Sequence, residues 1–256
     1  MKNLATVIFS KILEMKLSKY LKYIYRTVDL MKMTGLWEYI EIEPVDINIA
    51  TAGNCVGTLI KEENDMKFYY SNEFLCSYFK FPPEAKLALE ERHINLKFKI
   101  YDINCRNAFT KILLDYIINW QKEYLLTGNI MLCKTISITE LENILKKPDL
   151  LLTADRISRL IKNIDFIYEG QTVNLKSLVI NRKYIIKSLL LDLIKNEPCE
   201  LLNDRIVNPY SDNELANIIN SKLNAKISRR NIAEIRMQLR IPQSYKRRER
   251  NGLHFL

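Results

Sequence analysis

Basic side chains are concentrated near the C-terminal end of this sequence. The 256 residues carry a formal net charge of +9, and the stretch Ser221–Arg250 has ten basic residues against Glu234 and Glu249. The ten basic residues are Lys222, Lys226, Arg229, Arg230, Arg236, Arg240, Lys246, Arg247, Arg248 and Arg250. Charge gathered at one end predicts a polyanionic partner, with nucleic acid favoured over a membrane surface. A solvated tail that serves solubility is the alternative interpretation of the charge alone.

The spacing of residues around this basic stretch predicts two helices joined by a short turn. In Ser211–Leu223 the pattern Ser211-Asp-Asn-Glu214 is a capping box, and an apolar stripe follows it. In Ser228–Leu239 a second cap residue, Ser228, precedes another apolar stripe. This arrangement predicts a helix-turn-helix, whose second helix enters the major groove of DNA.

The second helix carries the side chains that recognise bases. Arginine has two parallel donors that match guanine O6 and N7, and residues at the start of a recognition helix reach bases first. Arg229 and Arg230 are therefore the best placed, while Ser228 and the first-turn N–H groups can hold a phosphate. We expect Lys246 and its neighbours to follow the DNA backbone, with an affinity that salt weakens. The predicted contacts are Ser228, Arg229, Arg230, Asn231, Ala233, Arg236, Arg240, Lys246, Arg247 and Arg248.

This region resembles a known family of transcription factors. The segment Ser228-Arg-Arg-Asn-Ile-Ala-Glu-Ile-Arg-Met237 resembles the ten-residue RpoN box, A-R-R-T-V-A-K-Y-R-E, of sigma-54 factors. The following segment, Leu239-Arg-Ile-Pro-Gln-Ser-Tyr-Lys-Arg-Arg248, is similar to that family's ending, L-x-I-P-S-S-x-x-R-K. Identical positions in the box are Arg229, Arg230, Ala233 and Arg236. The box departs from the pattern at Glu234, which replaces a lysine, and at Ile235, which replaces a tyrosine.

A weaker resemblance to the same family continues upstream. Arg156-Ile-Ser-Arg-Leu-Ile-Lys-Asn163 is similar to T-V-S-R-x-x-x-N, the second helix of the family's other helix-turn-helix. The resemblance implies that Ser158, Arg159 and Lys162 contact DNA near the downstream promoter element. A solvated helix face is the alternative for Arg159 and Lys162. We expect helices over Ser137–Lys146 and Thr153–Asn163, followed by a hairpin or wing formed by Phe166–Tyr168 and Thr172–Leu175.

The resemblance implies a sigma-54-like transcription initiation factor. Its expected partners are core RNA polymerase and double-stranded promoter DNA with GG and GC elements. It would have no catalysis of its own, and any nucleotidyltransferase activity would belong to the polymerase holoenzyme. The Gln- and Leu-rich region that answers ATP-driven activators is not evident, so we expect no such activator. A stand-alone or degenerate helix-turn-helix regulator that no longer binds polymerase is the alternative.

The remaining sequence predicts a mainly α, multi-domain fold with a small β-containing segment near residues 39–70. The expected strands are Ile40–Glu43, Val45–Ile49, Cys55–Ile60 and Met66–Tyr70. Helices are expected at Leu4–Met33, Asn72–Phe79, Asn104–Leu126 and Ile180–Asn196, with a linker at Pro198–Tyr210. The expected domains are a remnant of a core-polymerase-binding domain at 1–100, a central helix-turn-helix domain at 101–182 and an RpoN-box domain at 183–256.

Composition argues against several other functions. Five scattered cysteines without a C-x-x-C spacing, together with only two histidines, predict no metal site, no disulfide framework and reduced thiols. No catalytic arrangement and no cofactor motif is evident, so we expect neither. No stretch of about 18 apolar residues is free of charge, so we expect no membrane span and a cytoplasmic protein.

Overall fold

The computed structural model describes residues 11–43, 54–80, 94–146 and 152–250. Within these residues the chain is mainly helical with a smaller β component, as predicted. Two compact units are present. The first unit is Met1–Thr127 with Ile136–Val179, and the second unit is Gly128–Thr135 with Ile180–Leu256.

The first unit is built around two long helices, α1 and α2. Its helices are α1 (Leu17–Met33), α2 (Ile94–Trp120), α3 (Lys122–Thr127), α4 (Ile138–Leu145) and α5 (Ala154–Ile161). Arg106 of α2 is buried, and its guanidinium donates to the carbonyl oxygens of Ile12 and Met15 and lies 3.8 Å from the centre of the Tyr20 ring. This one side chain therefore fastens the segment before α1 to the middle of α2.

The strands of the first unit form two sheets. The strands are β1 (Glu41–Glu43), β2 (Gly57–Glu62), β3 (Asp65–Tyr70), β4 (Tyr78–Lys80), β5 (Asp165–Tyr168) and β6 (Gln171–Asn174). Strands β1 and β4 form an antiparallel pair, and the other four have the order β3-β2-β5-β6. Strand β2 pairs in parallel with β5, with Leu59 opposite Tyr168. The predicted hairpin is confirmed, but the β structure is not confined to residues 39–70, because the hairpin joins the sheet of β2 and β3.

Two positions in this sheet depend on local backbone geometry. Glu169 and Gly170 both have positive φ, +48° and +75°, and form the two-residue turn between β5 and β6. Paired positive φ values are typical of the type I′ turn, whose twist matches antiparallel strands. Gly57 begins β2, where a Cβ atom would lie 2.1 Å from the carbonyl oxygen of Tyr69. A side chain at Gly57 would therefore force β2 and β3 apart.

Among the residues that the structure describes, the second unit contains four α-helices, three of which begin at a side-chain cap. They are α6 (Arg182–Leu202), α7 (Asp212–Leu223), α8 (Arg229–Gln238) and α9 (Ser244–Arg250). Asn181, Ser211 and Ser228 each accept a hydrogen bond from a first-turn N–H group, and Ser211 forms a capping box with Glu214 as predicted. The unit is held together by buried aliphatic side chains of three helices, which include Leu189, Leu190, Leu215, Ile219 and Ile232.

The helix predicted over Ile180–Asn196 is longer than expected. Helix α6 continues through Pro198 to Leu202, so the linker predicted from Pro198 begins only after this helix. Proline lacks one N–H donor, which removes a single intrahelical bond. The residues around Pro198 keep the helix because Leu201 is buried, and the N–H of Asn203 closes the helix end on the carbonyl of Cys199 (3.2 Å).

Other boundaries also differ from the sequence predictions. Asn72–Phe79 is not a helix, since a 3-10 turn at Glu73–Leu75 leads into β4. The side chain of Asn104 accepts from the N–H of Phe79 and donates to its carbonyl (2.9 Å each), and so satisfies the backbone of β4. Helix α2 starts at Ile94 rather than Asn104, and α9 was not predicted. The strand Val45–Ile49 and the segment Leu4–Phe9 lie outside the described residues.

Candidate nucleic-acid interface

The first turn of α8 carries three exposed polar side chains. Arg229, Arg230 and Asn231 are all exposed, and no acidic residue lies in this turn. The hydroxyl oxygen of Ser228 accepts from the N–H of Asn231 (3.2 Å), which starts the helix at Arg229. The helix dipole and the unpaired first-turn N–H groups add partial positive charge at the same end. This turn is therefore suited to an anionic ligand.

The exposed face of α8 is centred on Arg230. Residues at intervals of three and four share a helix face, which places Glu234 and Met237 beside Arg230. The side chain of Arg230 is 88% exposed, and its Nε lies 3.3 Å from Oε1 of Glu234. An ion pair this exposed contributes little free energy, so Arg230 can exchange it for another acceptor. Met237 is 61% exposed and was not predicted as a contact, although its i+7 spacing from Arg230 was readable in the sequence.

Two other predicted residues lie at the flank and at the end of this face. Ala233 is half-buried, and its methyl group is small enough not to hold a partner away from the backbone of α8. Arg240 is exposed just after α8 and has φ +57°. Its N–H donates to the carbonyl of Met237 (2.9 Å), which ends the helix. Its side chain lies at the opposite end of the helix from Arg229.

Arg236 is buried, in contrast to the DNA contact predicted for it. Its side chain is 4% exposed, and Nε and Nη2 donate to the two carboxylate oxygens of Asp212 at 2.7 and 3.0 Å. Its Nη1 donates to the carbonyl of Ile241 (2.8 Å). We therefore correct the prediction, because this guanidinium is used to join the end of α8 to the start of α7.

Arg247 requires the same correction. Its guanidinium forms two hydrogen bonds with the buried carboxylate of Glu197 in α6, at 2.7 and 2.8 Å. The remaining donors bind the carbonyl oxygens of Tyr210 (2.7 Å) and Pro242 (2.6 Å). The cluster attaches α9 and the segment before α7 to α6. Nearby, burial and a hydrogen bond to Glu200 raise the pKa of Tyr210 to about 12, so its hydroxyl stays a donor.

The two neighbours of Arg247 are placed differently. Lys246 is exposed, and its Nζ lies 5.9 Å from the centre of the Tyr245 ring. Its predicted contact with the DNA backbone stays a prediction. Arg248 belongs to α9, but its side chain lies outside the described residues.

The turn between α7 and α8 depends on Asn220, which the sequence analysis did not single out. Its side-chain amide donates to the carbonyl of Ile227 (2.9 Å), and its oxygen accepts from the N–H of Ile227 (2.6 Å). Asn224 ends α7 in the left-handed conformation (φ +44°), which asparagine tolerates well. The polar residues of the turn thus determine where α8 begins relative to α7. The position of this asparagine in the last turn of α7 was the only sequence signal that could have indicated this role.

The first unit contains a second helix pair, α4 and α5. Ser137 and Glu140 form a capping box at α4, which lowers the pKa of Glu140, and Thr153 accepts from the N–H of Arg156 at the start of α5. Lys162 is exposed at the end of α5, and Ser158 is half-buried.

Arg159 of α5 is only partly exposed and is engaged by two carboxylates. Its Nη1 lies 2.7 Å from Oε1 of Glu14, and its Nε lies 2.9 Å from Oδ2 of Asp155. The structure brings Ser158, Arg159 and Lys162 together on one helix. Whether these three residues contact DNA stays a prediction, and a partner of Arg159 would have to displace the carboxylates.

Other kinds of site find no support in the described residues. Within residues 11–43, 54–80, 94–146 and 152–250, no group of three or more His, Cys, Asp or Glu is arranged to hold a metal ion. Burial raises the pKa of Cys76 and of Cys133 to about 11, which disfavours the nucleophilic thiolate at both positions. No helix in those same ranges has the length and apolar character needed to cross a membrane.

Comparison with known proteins gave one family match. Residues 89–249 match the model of the family described as Sigma-54, DNA binding domain. This is more than half of the chain, and it includes both helix pairs. A search of curated proteins found no match.

Among the solved structures that are similar to the chain is the crystal structure of Aquifex aeolicus sigmaN bound to promoter DNA. Sequence identity is 20% and the TM-score is 0.47. The similarity covers 76% of this chain and 59% of that one. The chain therefore spans less than two thirds of the length of the Aquifex aeolicus protein.

Proposed function

The chain belongs to the sigma-54 family and carries its DNA-binding domain, and we propose that it recognises promoter DNA through α8. The observation that carries the proposal is the exposed first turn of α8, where Arg229 and Arg230 have no buried partner. A helix inserted in the major groove presents its first residues to base edges, and each arginine can form two hydrogen bonds with a guanine.

We propose that two helix-turn-helix modules take part. The module α7–α8 would contact one promoter element, with Ser228, Asn231, Ala233, Arg240, Lys246 and Arg248 supporting the two arginines. Arg236 and Arg247 are left out of this set because the protein itself occupies their guanidinium groups. The module α4–α5 would contact the second element through Ser158, Arg159 and Lys162.

Binding measurements with two duplexes test this proposal. Fluorescence anisotropy would compare a duplex with the family's GG and GC elements against a scrambled duplex across a salt series. We expect a preference that survives moderate salt and is lost in the double variant Arg229→Ala/Arg230→Ala. A matched control, Arg26→Ala/Arg205→Ala, removes two exposed arginines elsewhere and should keep the preference. Equal affinity for both duplexes, fading together with salt, would contradict the proposal.

We further propose that the chain delivers core RNA polymerase to those promoters. Membership in the family supports this role, and residues 1–100 are the proposed polymerase-binding remnant, followed by DNA-binding domains at 101–182 and 183–256. A pull-down with core polymerase tests it, and retention by the polymerase is the expected result.

A stand-alone DNA-binding regulator is the second candidate function. One observation favours it, namely that the family match begins at residue 89 and leaves the preceding residues without a match. Sequence-specific binding to the promoter duplex without retention by core polymerase would establish this candidate instead of the first.

A further inference from the structure

A basic groove runs along one edge of α8 within the second unit. It has a volume of about 370 Å³ and lies between the first turn of α6, the turn before α8 and α8 itself. Three cations line it, Arg182 and Lys183 from α6 and Lys226 from the turn. Neutral polar side chains of α8, Asn231 and Gln238, complete one wall. The groove therefore combines positive charge with hydrogen-bonding groups.

The charge of the groove is not neutralised by the protein. Arg182, Lys183 and Lys226 are exposed, and none has an ion-pair partner among the residues that the structure describes. One carboxylate, Glu234, also lines the groove, so its three cations leave a net charge of +2. Cations collected in a concave surface create a stronger local potential than the same cations spread over a convex one. An anion is the expected occupant.

The position of the groove points to the DNA backbone as that anion. A recognition helix in the major groove is about as wide as the groove itself, so the sugar-phosphate backbones pass along its edges. Asn231 and Gln238 lie on the edge of α8 next to its exposed face, and the three cations stand just beyond them. A strand that borders the major groove would therefore pass over this basic groove.

We propose that this groove binds backbone phosphates of the strand beside α8, with Arg182, Lys183 and Lys226 as the phosphate ligands. The inference rests on the proposed function of α8. Arginine forms charge-assisted pairs of hydrogen bonds with phosphate oxygens, and lysine supplies a point charge. These contacts set the position of α8 on the duplex and carry no sequence information of their own.

A salt titration of variants tests the proposal. The triple variant Arg182→Gln/Lys183→Gln/Lys226→Gln should weaken binding to the promoter and scrambled duplexes alike. Each lost phosphate contact lowers the slope of log affinity against log salt by about 0.9, so a reduction of roughly 2 to 3 is expected. Lys195→Gln, an exposed lysine about 18 Å further along α6 than Lys183, is the matched control and should change neither quantity.

Neutral backbone analogues identify the phosphates that are bound. Duplexes with single methylphosphonate linkages should weaken binding of the unaltered chain at particular phosphates beside the proposed α8 site. The triple variant should be indifferent at those same phosphates, while it still responds at others. Circular dichroism would establish that the variant is folded.

The results separate this inference from the proposed function. A triple variant with the salt slope of Lys195→Gln, in a background where the unaltered chain prefers the promoter duplex, overturns the groove and leaves the proposed function standing. An unaltered chain without sequence preference contradicts the proposed function. In that case the slope of the triple variant still decides whether the groove binds phosphates.

Discussion

Arginine side chains of the second unit divide into two kinds by their surroundings. Arg236 and Arg247 have their guanidinium groups surrounded by carboxylate and carbonyl oxygens of the protein. Arg229 and Arg230 extend from the first turn of α8 into solvent. A buried ion pair costs much free energy when one partner is removed, whereas an exposed arginine costs almost none. Substitution of a buried arginine should therefore lower the stability of the second unit, whereas substitution of an exposed one should mainly weaken DNA binding.

Arg229→Ala should reduce base discrimination without unfolding the second unit. Loss of a pair of hydrogen bonds to guanine weakens discrimination at that base pair by roughly 1–3 kcal/mol. The measurement is anisotropy with duplexes that carry each of the four base pairs at the guanine positions. Lys246→Ala provides the contrast, because a phosphate contact weakens all duplexes equally and lowers the salt slope by about one. Uniform weakening by Arg229→Ala would refute its role in base recognition.

Arg247→Ala should destabilise the second unit by about 3–5 kcal/mol, because the carboxylate of Glu197 stays buried without its partner. The double variant Arg247→Met/Glu197→Leu removes both charges and should recover much of the loss. Hydrogen exchange of peptides from α6 and α9 measures the local free energy of opening. Faster exchange in α6 for Arg247→Ala than for Lys246→Ala is the expected result. Equal exchange in the two variants would show that the buried pair contributes little.

Asp102→Asn should change how the stability of the first unit depends on pH. Burial raises the pKa of Asp102 to about 6, so between about pH 4 and 6 the folded chain keeps a proton that the unfolded chain releases. Its contribution to the free energy of unfolding therefore falls as pH rises through this window. Asparagine cannot ionise, so the variant should gain on the order of 2 kcal/mol relative to the unaltered chain between pH 4 and 7.

Urea unfolding followed by tryptophan fluorescence measures this difference, because Trp37 and Trp120 both lie in the first unit. The capping carboxylates Glu140 and Glu214 have lowered pKa values, and their contributions are lost only as the pH falls below about 4.5. Comparison of the two proteins at each pH cancels these other groups. A stability difference that is constant with pH would contradict the assignment to Asp102.

At the scale of elements, the turn between α7 and α8 is the point where the recognition helix is positioned. Asn220→Ala removes two hydrogen bonds to the backbone of Ile227, which is buried. We expect a loss of about 1–3 kcal/mol from the second unit and a weaker preference for the promoter duplex, since α8 would start in a less defined position. Thermal unfolding and anisotropy check the two effects. Asn213→Ala, an exposed asparagine of α7, is the control.

Local signals in the sequence predicted helix starts well and helix faces less well. Ser211, Glu214 and Ser228 were identified correctly, because a cap bonds to backbone only two or three residues away. Arg236 was predicted to contact DNA along with the other basic residues of the recognition helix. Arg236 is instead bound by Asp212, 24 residues earlier in the sequence. A pattern of basic residues along one helix does not show a carboxylate partner that far away.

Local sequence patterns did not predict elements whose structure depends on residues far away in the sequence. Strand β2 is separated by about a hundred residues from β5, with which it pairs, so the sequence predicted the two pieces but not their common sheet. The segment 72–79 has an apolar spacing compatible with a helix. It becomes a 3-10 turn and a strand because Asn104 of α2 satisfies its backbone. Similarly, the buried carboxylate of Glu197, next to Pro198 in α6, is bound by Arg247, fifty residues later, and local patterns do not show that partner.

At the scale of the whole molecule, each compact unit carries one of the two proposed DNA-binding modules. The chain passes between the units three times, at 127/128, 135/136 and 179/180. These covalent connections limit how far the modules can separate. Once one module is bound, the other meets its element at a high effective concentration, so two weak contacts produce a strong one.

This coupling predicts a dependence on the spacing of the two promoter elements. A duplex with both elements at their natural spacing should bind more tightly than duplexes with either element alone, by about 10²-fold or more. Inserting five base pairs, about half a helical turn, between the elements rotates them to opposite sides of the DNA and should reduce affinity to that of a single element. Inserting ten base pairs returns the two elements to the same side of the DNA but lengthens the distance between them, and affinity closer to the natural spacing than to the five-base-pair insertion would show that the chain can span that distance. Equal affinity for the natural and the five-base-pair duplex would mean that the two modules do not bind one promoter together, and that α8 alone accounts for recognition.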